Sequence, residues 1–352
     1  AKQHRTVKDV NVITNKSNGN GLMLMSAGAN SNSTIDTLYY VINFDNEQGF
    51  AFASADIRFE PVLCITENGN YYSGDSIDNP GFANFMEGLE IYMDGAPPIN
   101  CPTCPTFFDT ITGVYYYGSW ENYQYVPEKL TVRWDQTNPY GNNCPNGIAG
   151  CVATAIAQIF SYYQYPTNHT KNGVTFTYNW TTMKQHMSYP NYSYYTNAST
   201  YLAYLCYNDI GLGVNMDYSS SSGSGAYDSN ARSYLVNRGY TSSSVQNYSI
   251  NDIITALNQD KLIYASGAES STSDSGHAWV IDGYLTQRRT VTYELSTYYE
   301  YQNLVHCNWG WSGYGNGYFV SGAFATRKIS DSGSYSASTN YNYNNKIIIT
   351  KH

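Results

Sequence analysis

Four separated stretches of this 352-residue chain carry side chains that together suit nucleophilic catalysis. The first, Gly150-Cys151-Val-Ala-Thr-Ala-Ile-Ala-Gln158, puts a cysteine at the head of an apolar helical run. A thiol there meets unpaired backbone N–H groups and the positive end of the helix dipole, and both favour thiolate. Gly150 permits a tight entry turn, and the small Ala153, Thr154 and Ala157 permit close packing behind it. Taken alone, a cysteine in an apolar helix is more often an inert core residue. A nucleophilic thiol also needs an imidazole. His4 and His352 lie near the termini, His169 and His186 in polar loops, and His306 within a strand beside Cys307. His277, in Gly276-His-Ala-Trp-Val-Ile-Asp-Gly283, stands at the mouth of a buried strand, where a rigid element can aim a general base into a cleft. The third stretch, Asn308-Trp309-Gly-Trp-Ser-Gly313, offers an amide carbonyl to fix an imidazole N–H and an indole to screen that bond. The fourth, Trp134-Asp-Gln136-Thr-Asn-Pro-Tyr140, offers the Gln136 amide as an oxyanion donor beside the Cys151 backbone N–H.

The elements that must position these groups fall into two sets. Strand-like runs at Leu38–Phe44, Gly49–Ser54 and Pro61–Ile65, separated by Asn/Asp/Gly turns, predict an antiparallel meander. Phe85, Leu89 and Tyr92 follow at helical spacing over Asn84–Met93. Pro97, Pro98, Pro102 and Pro105 then break regular structure and mark the best boundary. The second set begins near Leu130. Helices are expected from Cys151 to just before Pro166, over Ser199–Asn208 and over Ile250–Asn258. Strands are expected at Ala278–Asp282, Thr290–Leu295, Asn303–Asn308 and Gly317–Val320. Helices first and strands afterwards predict an α+β architecture in two halves. The Ser-rich Tyr218–Gly225 and the stretch Asp331–Asn345 read as surface loops.

Bulk composition removes several function classes. Charged residues are only 13%, and 38 tyrosines with abundant Asn, Ser and Gly supply the polarity, a surface familiar among secreted proteins. The formal net charge of −9, without any basic run, argues against nucleic acid or anionic lipid as partners. No segment approaches the ~20 apolar residues of a membrane span. The chain starts at Ala1 without Met or an apolar signal core, as after removal of an export leader or its omission. Seven cysteines, an odd number, leave at least one thiol unpaired, and their irregular spacing argues against a disulfide scaffold. Cys101-Pro-Thr-Cys104 has no second C-x-x-C to complete a zinc site, and no calcium-loop pattern appears. No cofactor or metal is therefore expected.

All four motifs resemble those of the streptopain family, with interpain-type members especially similar. The order Gln, Cys, His, Asn is also that of papain-like peptidases. The resemblance extends upstream, because Tyr39-Tyr-Val-Ile-Asn43, Gly49-Phe-Ala-Phe-Ala-Ser-Ala-Asp56 and Pro61-Val-Leu63 are similar to the family's prodomain. It covers nearly the whole chain and is weakest over 1–34 and 170–250.

The resemblance implies a papain-like α+β fold preceded by a small α+β inhibitory prodomain, with residues 1–110 as prodomain and linker and 111–352 as catalytic domain. It implies an exported bacterial cysteine endopeptidase in pro-form, acting on protein and peptide substrates, host proteins among them. By motif, Cys151 is the nucleophile and His277 the general base and then acid. Gln136 joins the oxyanion hole, Trp309 orients and shields the imidazole, and Asn308 is its further contact, although the family is usually described as a Cys–His dyad. Asp282 lies five residues after His277, an odd offset that sends it to the other strand face and to a structural role. By the same resemblance the prodomain is expected to push its loop around Tyr72–Pro80 toward the site and dislodge the imidazole until autocatalytic proteolysis removes it. The residues leave open a papain-like amine-accepting transferase and a two-domain adhesin or inhibitor-like surface protein with an unreactive Cys151.

Overall fold

Side-chain parity along one strand organises the molecule. In the computed structural model the described residues are all except 1–4, 15–36, 57–58, 95–114, 186–195, 222, 269–275, 294–295 and 325–344. The Pro-punctuated boundary, the Cys101/Cys104 pair and nearly all of the stretch 331–345 therefore lie outside the described residues.

The N-terminal unit holds strands β1 (Val7–Thr14), β2 (Thr37–Phe44), β3 (Phe50–Ser54) and β4 (Val62–Thr66), then helix α1 (Pro80–Asp94). Next come β5 (Tyr115–Tyr117), β6 (Glu121–Val126), α2 (Cys151–Tyr163), the hairpin β7 (Asn168–Lys171) and β8 (Val174–Thr177), and α3 (Trp180–Gln185). Helix α4 (Thr196–Ala203) passes into π-helical turns over Tyr204–Gly211, followed by α5 (Asp228–Asn237). Short strands β9 (Thr241–Ser242) and β10 (Gln246–Asn247) precede α6 (Ile250–Asn258). Last are β11 (Leu262–Ala268), β12 (Gly276–Tyr293), β13 (Ser296–Asn308), β14 (Gly317–Val320) and β15 (Lys346–Lys351).

One antiparallel sheet runs through both units in the order β1-β2-β3-β4-β14-β13-β12-β11-β15-β10, with β5 and β6 also pairing to β12. The junction is β4 on β14, with Cys64 opposite Phe319, Ile65 opposite Tyr318 and Thr66 opposite Gly317. Because strand side chains alternate, this sheet serves two cores. Ala278 and Val280 of β12 face α2 and the helical half, with Ile156, Phe160, Leu202 and Leu235. Trp279 and Ile281 face the opposite way, into a core shared with Phe82, Phe85 and Leu89 of α1 and with Ile253 and Leu257 of α6.

Local sequence explains the helix ends. Helix α2 enters through Gly150 at φ 86° and stops at left-handed Gln164, two residues before Pro166. Helix α6 has the predicted bounds, and the Ser249 hydroxyl accepts from the Asp252 N–H. Helix α1 begins four residues before the predicted start, because Pro80 suits a first helical position and the Asn79 side-chain Oδ1 accepts from the N–H groups of Gly81 (3.0 Å) and Phe82 (3.2 Å). In the helical half, the π-helical turns place buried Asp209 under the Tyr178 and Tyr234 hydroxyls and the Arg238 guanidinium at 2.6–2.8 Å.

Phe85 is fully buried between the units, with its ring 4.8 Å from Phe319 and 5.9 Å from Phe324. Phe85→Ala is expected to destabilise the chain by about 3–5 kcal/mol in denaturant unfolding and to speed proteolysis of the N-terminal unit. A loss below about 1 kcal/mol would mean that the ring does not bind the two units together.

Candidate active site

The thiol sits at a crowded helix entrance. Gly150 has no room for a side chain, since a Cβ there would fall 2.6 Å from the Ser224 carbonyl oxygen. Its carbonyl accepts from the Thr154 N–H and hydroxyl, which starts the helix at Cys151. Cys151 is partly buried, and its sulfur lies against the backbone N–H groups of Ala278, Val152 and Cys151 itself. Burial raises the thiol pKa, and the charge of Asp228 acts in the same direction, so the three N–H groups do not make it a thiolate here. Gln136 is buried nearby in sequence order, and its backbone carbonyl accepts from the Ala149 N–H at 2.7 Å. That bond holds the Trp134–Tyr140 segment to the residues entering α2.

His277 is on the other face of β12. Its ring stacks on Trp279 (centroids 6.4 Å, planes 10° apart) and meets Trp311 edge-on. Its Nε2 is 2.7 Å from the Trp309 carbonyl oxygen, which can only accept, so Nε2 carries the proton and Nδ1 the lone pair. Burial lowers the imidazole pKa to about 4, against the opposing pull of the Trp309 carbonyl, so the ring is neutral. Among the described residues no hydrogen bond joins His277 to Cys151. The N-terminal unit reaches the ring through Gly81, in the first turn of α1: a Cβ there would fall 2.2 Å from Trp309 Cε3 and 2.9 Å from His277 Cδ2. The contact comes one residue past the predicted Tyr72–Pro80 loop.

Trp309 is fully buried, and its indole N–H donates to the Gly315 carbonyl at 2.9 Å. Asn308 does not touch the imidazole. Its amide donates to the Val132 carbonyl (2.9 Å) and its oxygen accepts from the Gly310 N–H, because strand alternation turns it away from Trp309. The expected Asn308 contact is thus replaced here by a backbone carbonyl. Asp282 is apart from His277, as its offset predicts: Oδ1 is 2.6 Å from His306 Nδ1, and Oδ2 accepts from the N–H groups of Lys129 and Leu130.

Several participants carried no sequence signal of their own. Ser224 and Asn146 knit the Ser-rich stretch onto the entry to α2, through Ser224 Oγ to the Ile148 carbonyl and Asn146 Nδ2 to the Ser220 and Gly223 carbonyls. That stretch is pinned beside Gly150 rather than being a plain surface loop. Asn68 and Asn79 donate to the Gly313 and Tyr314 carbonyls, so the N-terminal unit grips the loop after Trp309. Glu67 reaches both Arg133 Nη2 (2.8 Å) and His306 Nε2 (3.1 Å). A polar residue immediately after a strand was the available hint, but its partners lie far along the chain.

Comparison with known proteins bears on the family and the fold. Streptopain of Streptococcus pyogenes is 28% identical over 320 residues, covering 80% of this chain and 73% of streptopain. The thiol protease/hemagglutinin PrtT of Porphyromonas gingivalis is 26% identical over 333 residues, 81% of this chain but 34% of PrtT. A solved fragment of Prevotella intermedia prointerpain A, a cysteine-to-alanine mutant, shares the fold at a TM-score of 0.60 and 23% identity, covering 89% of this chain and 95% of that one. The fold is accordingly papain-like α+β with an added N-terminal unit. The profile of the Peptidase C10 family matches residues 134–319, a span that includes Gln136, Cys151, His277, Asn308 and Trp309. Matched over more than half its length, the chain belongs to the peptidase C10 family, the streptopain-type cysteine peptidases.

Proposed function

We propose that this cysteine peptidase is a secreted endopeptidase zymogen in which Cys151 and His277 form the catalytic dyad once residues 1 to about 110 are removed. The observation that carries the reading is the Cys151 sulfur lying under the N–H of Ala278, the residue that follows His277. Helix α2 and strand β12 thereby bring nucleophile and base within one residue of each other along the sheet.

With the N-terminal unit gone, the thiol proton passes to His277 Nδ1 and the thiolate attacks the scissile carbonyl carbon. The Cys151 N–H and the Gln136 amide receive the oxyanion. The imidazolium then protonates the leaving amine, giving an acyl-enzyme. His277 next takes a proton from water, which attacks the thioester carbonyl and frees Cys151. Trp309 orients the ring through its carbonyl and shields it with its indole. Asn308 supports the Trp309 loop and Val132 rather than the ring.

In the intact chain a protonated thiol and a neutral imidazole buried on the opposite strand face account for latency. The first turn of α1 occupies the space against His277. Cleavage within 95–114, leaving residues 111–352 as catalytic domain, is supported by the pairing of β5 and β6 with β12, which ties Tyr115 onward to the sheet that carries His277. Secretion, protein substrates of host origin and the absence of nucleic-acid or membrane partners follow from the family resemblance and the acidic, weakly charged composition.

Three outcomes are expected. Wild-type chain incubated under reducing conditions at neutral pH shortens, while Cys151→Ala stays full length; equal shortening of both would exclude self-processing through this thiol. Gly81→Ala forces α1 away from Trp309 and His277 at a cost of roughly 1–3 kcal/mol and is expected to hasten processing and Cys151 alkylation. Unchanged rates would show that the Gly81 contact does not restrain the ring. The third outcome concerns pH. The His277 pKa is depressed in the folded chain, so the unfolded chain binds more protons below the ordinary 6.5. Stability of the uncut Cys151→Ala chain should therefore fall as pH drops from 6.5 to 4, by up to about 3 kcal/mol. Adding His277→Asn should remove that slope in denaturant titrations, and a retained slope would assign it to another group.

A further inference from the structure

The buried imidazole of His306 belongs to no step above, yet it is held as a cation. It is 2% exposed, and its Nδ1 is fixed by fully buried Asp282. Burial alone would lower its pKa, but Asp282 and Glu67 overcome that and raise it to about 10. Its second nitrogen points at a carboxylate supplied by the N-terminal unit. Glu67 spans two cations, with Oε1 3.1 Å from His306 Nε2 and Oε2 2.8 Å from Arg133 Nη2. The segment bearing Glu67 is an added strand: β4 pairs with the edge of β14, and the Glu67 N–H continues the ladder to the Asn316 carbonyl at 2.8 Å. Tyr318 of β14 closes one side of the pocket, its ring 5.0 Å from the His306 ring.

Loss of the N-terminal unit, on the reading above, removes all of this at once. The β14 edge loses its partner strand, and a buried imidazolium and Arg133 lose their shared carboxylate. A buried charged donor without an acceptor is costly, and an open strand edge is a template for another strand. We propose that the processed peptidase carries a docking site, separate from the Cys151–His277 pair, for an extended peptide segment that adds to the β14 edge and seats an Asp or Glu side chain between His306 and Arg133. The occupant is an acidic, extended stretch of a protein, because the native precedent is a side-chain carboxylate with chain continuing on both sides. Asp282 keeps the imidazole charged while Arg133 supplies the second donor, so a glutamine in place of the carboxylate forfeits both charge-assisted bonds. Strand addition then provides affinity through main-chain bonds and the socket provides selectivity.

A Cys151→Ala chain with a cleavage sequence for an added protease placed within 95–114, separated after cutting from the fragment N-terminal to the cut, tests the site without relying on self-processing, which is read separately on the wild type. The probe is a fluorescent peptide of residues 61–69 with Cys64→Ala, together with its Glu67→Gln counterpart. Fluorescence polarisation should show the Glu peptide binding the cut chain and not the uncut chain. The Gln peptide should bind about tenfold or more weakly, equivalent to about 1.4 kcal/mol. Arg133→Gln in the cut chain should erase most of that difference while leaving the weaker, main-chain binding of the Gln peptide in place. Equal affinity of the two peptides, equal binding to cut and uncut chains, or no binding to the cut chain at millimolar peptide each overturns the proposal.

Discussion

The backbone ladder between β4 and β14 is the constraint from which the other inter-unit contacts follow. It makes the N-terminal unit a continuation of the catalytic sheet rather than a separate body resting on it. Register on an antiparallel ladder is fixed to the residue, since a slip of one would send every side chain to the opposite face. Pairing Thr66 with Gly317 therefore delivers Glu67 to His306 and Asn68 to the Gly313 carbonyl. The same register lays α1 across the aromatic face made by Phe319, Phe324 and Trp309, with Gly81 over the imidazole. The missing side chain of Gly81 is what allows the helix to come this close.

Burial produces opposite ionisation states at two histidines on neighbouring strands, and partners decide which. His277 has only a carbonyl as hydrogen-bond partner, which cannot balance a charge, so desolvation wins and the ring is neutral. His306 lies between two carboxylates, and their attraction exceeds the same desolvation cost. Glu67 shows the reciprocal effect: burial would raise its pKa, but His306 and Arg133 hold it at about 2. The Glu67–His306 pair thus stays charged between the ordinary carboxylate range and about pH 10. Acidification to pH 5 would leave this clasp intact.

Local elements were legible where a short stretch contains its own cause. The α2 span follows from Gly150, an apolar stripe and Pro166, and α6 matched to the residue because Ser249 caps it. Strand β12 was read as two pieces because Gln287, Arg288 and Arg289 interrupt its apolar pattern. There the sheet projects beyond both cores, and those side chains bond instead to Asn122, Glu121 and Glu300 on the flanking strands. Motif order singled out Cys151 and His277 as candidates. Their orientation carried no such signal, because it depends on a helix nearly 200 residues before the histidine. Gly81, Glu67 and Asn79 act only across the sheet junction, and such contacts leave no periodicity to read.

Strand parity also limits how the imidazole can come to face the thiol. His277 shares a face with Trp279, whereas Ala278 faces α2, so no change of rotamer alone brings the ring to the Cys151 side. The backbone at the start of β12 must turn. The residues involved, Gly276 and His277, form the last two pairs of the β11–β12 ladder, opposite Ala268 and Gly267. Releasing terminal pairs costs few hydrogen bonds, each about 0.5–1.5 kcal/mol net, and leaves Ala278 to Ile281 in register. Glycines at 267 and 276 add no side-chain barrier to that turn. The larger obstacle is steric, since the first turn of α1 packs the ring against Trp309. A restraint of this kind lets a small local rearrangement stay blocked by a whole folded unit, and on the proposed reading removing that unit frees the ring without unfolding the strand that carries it.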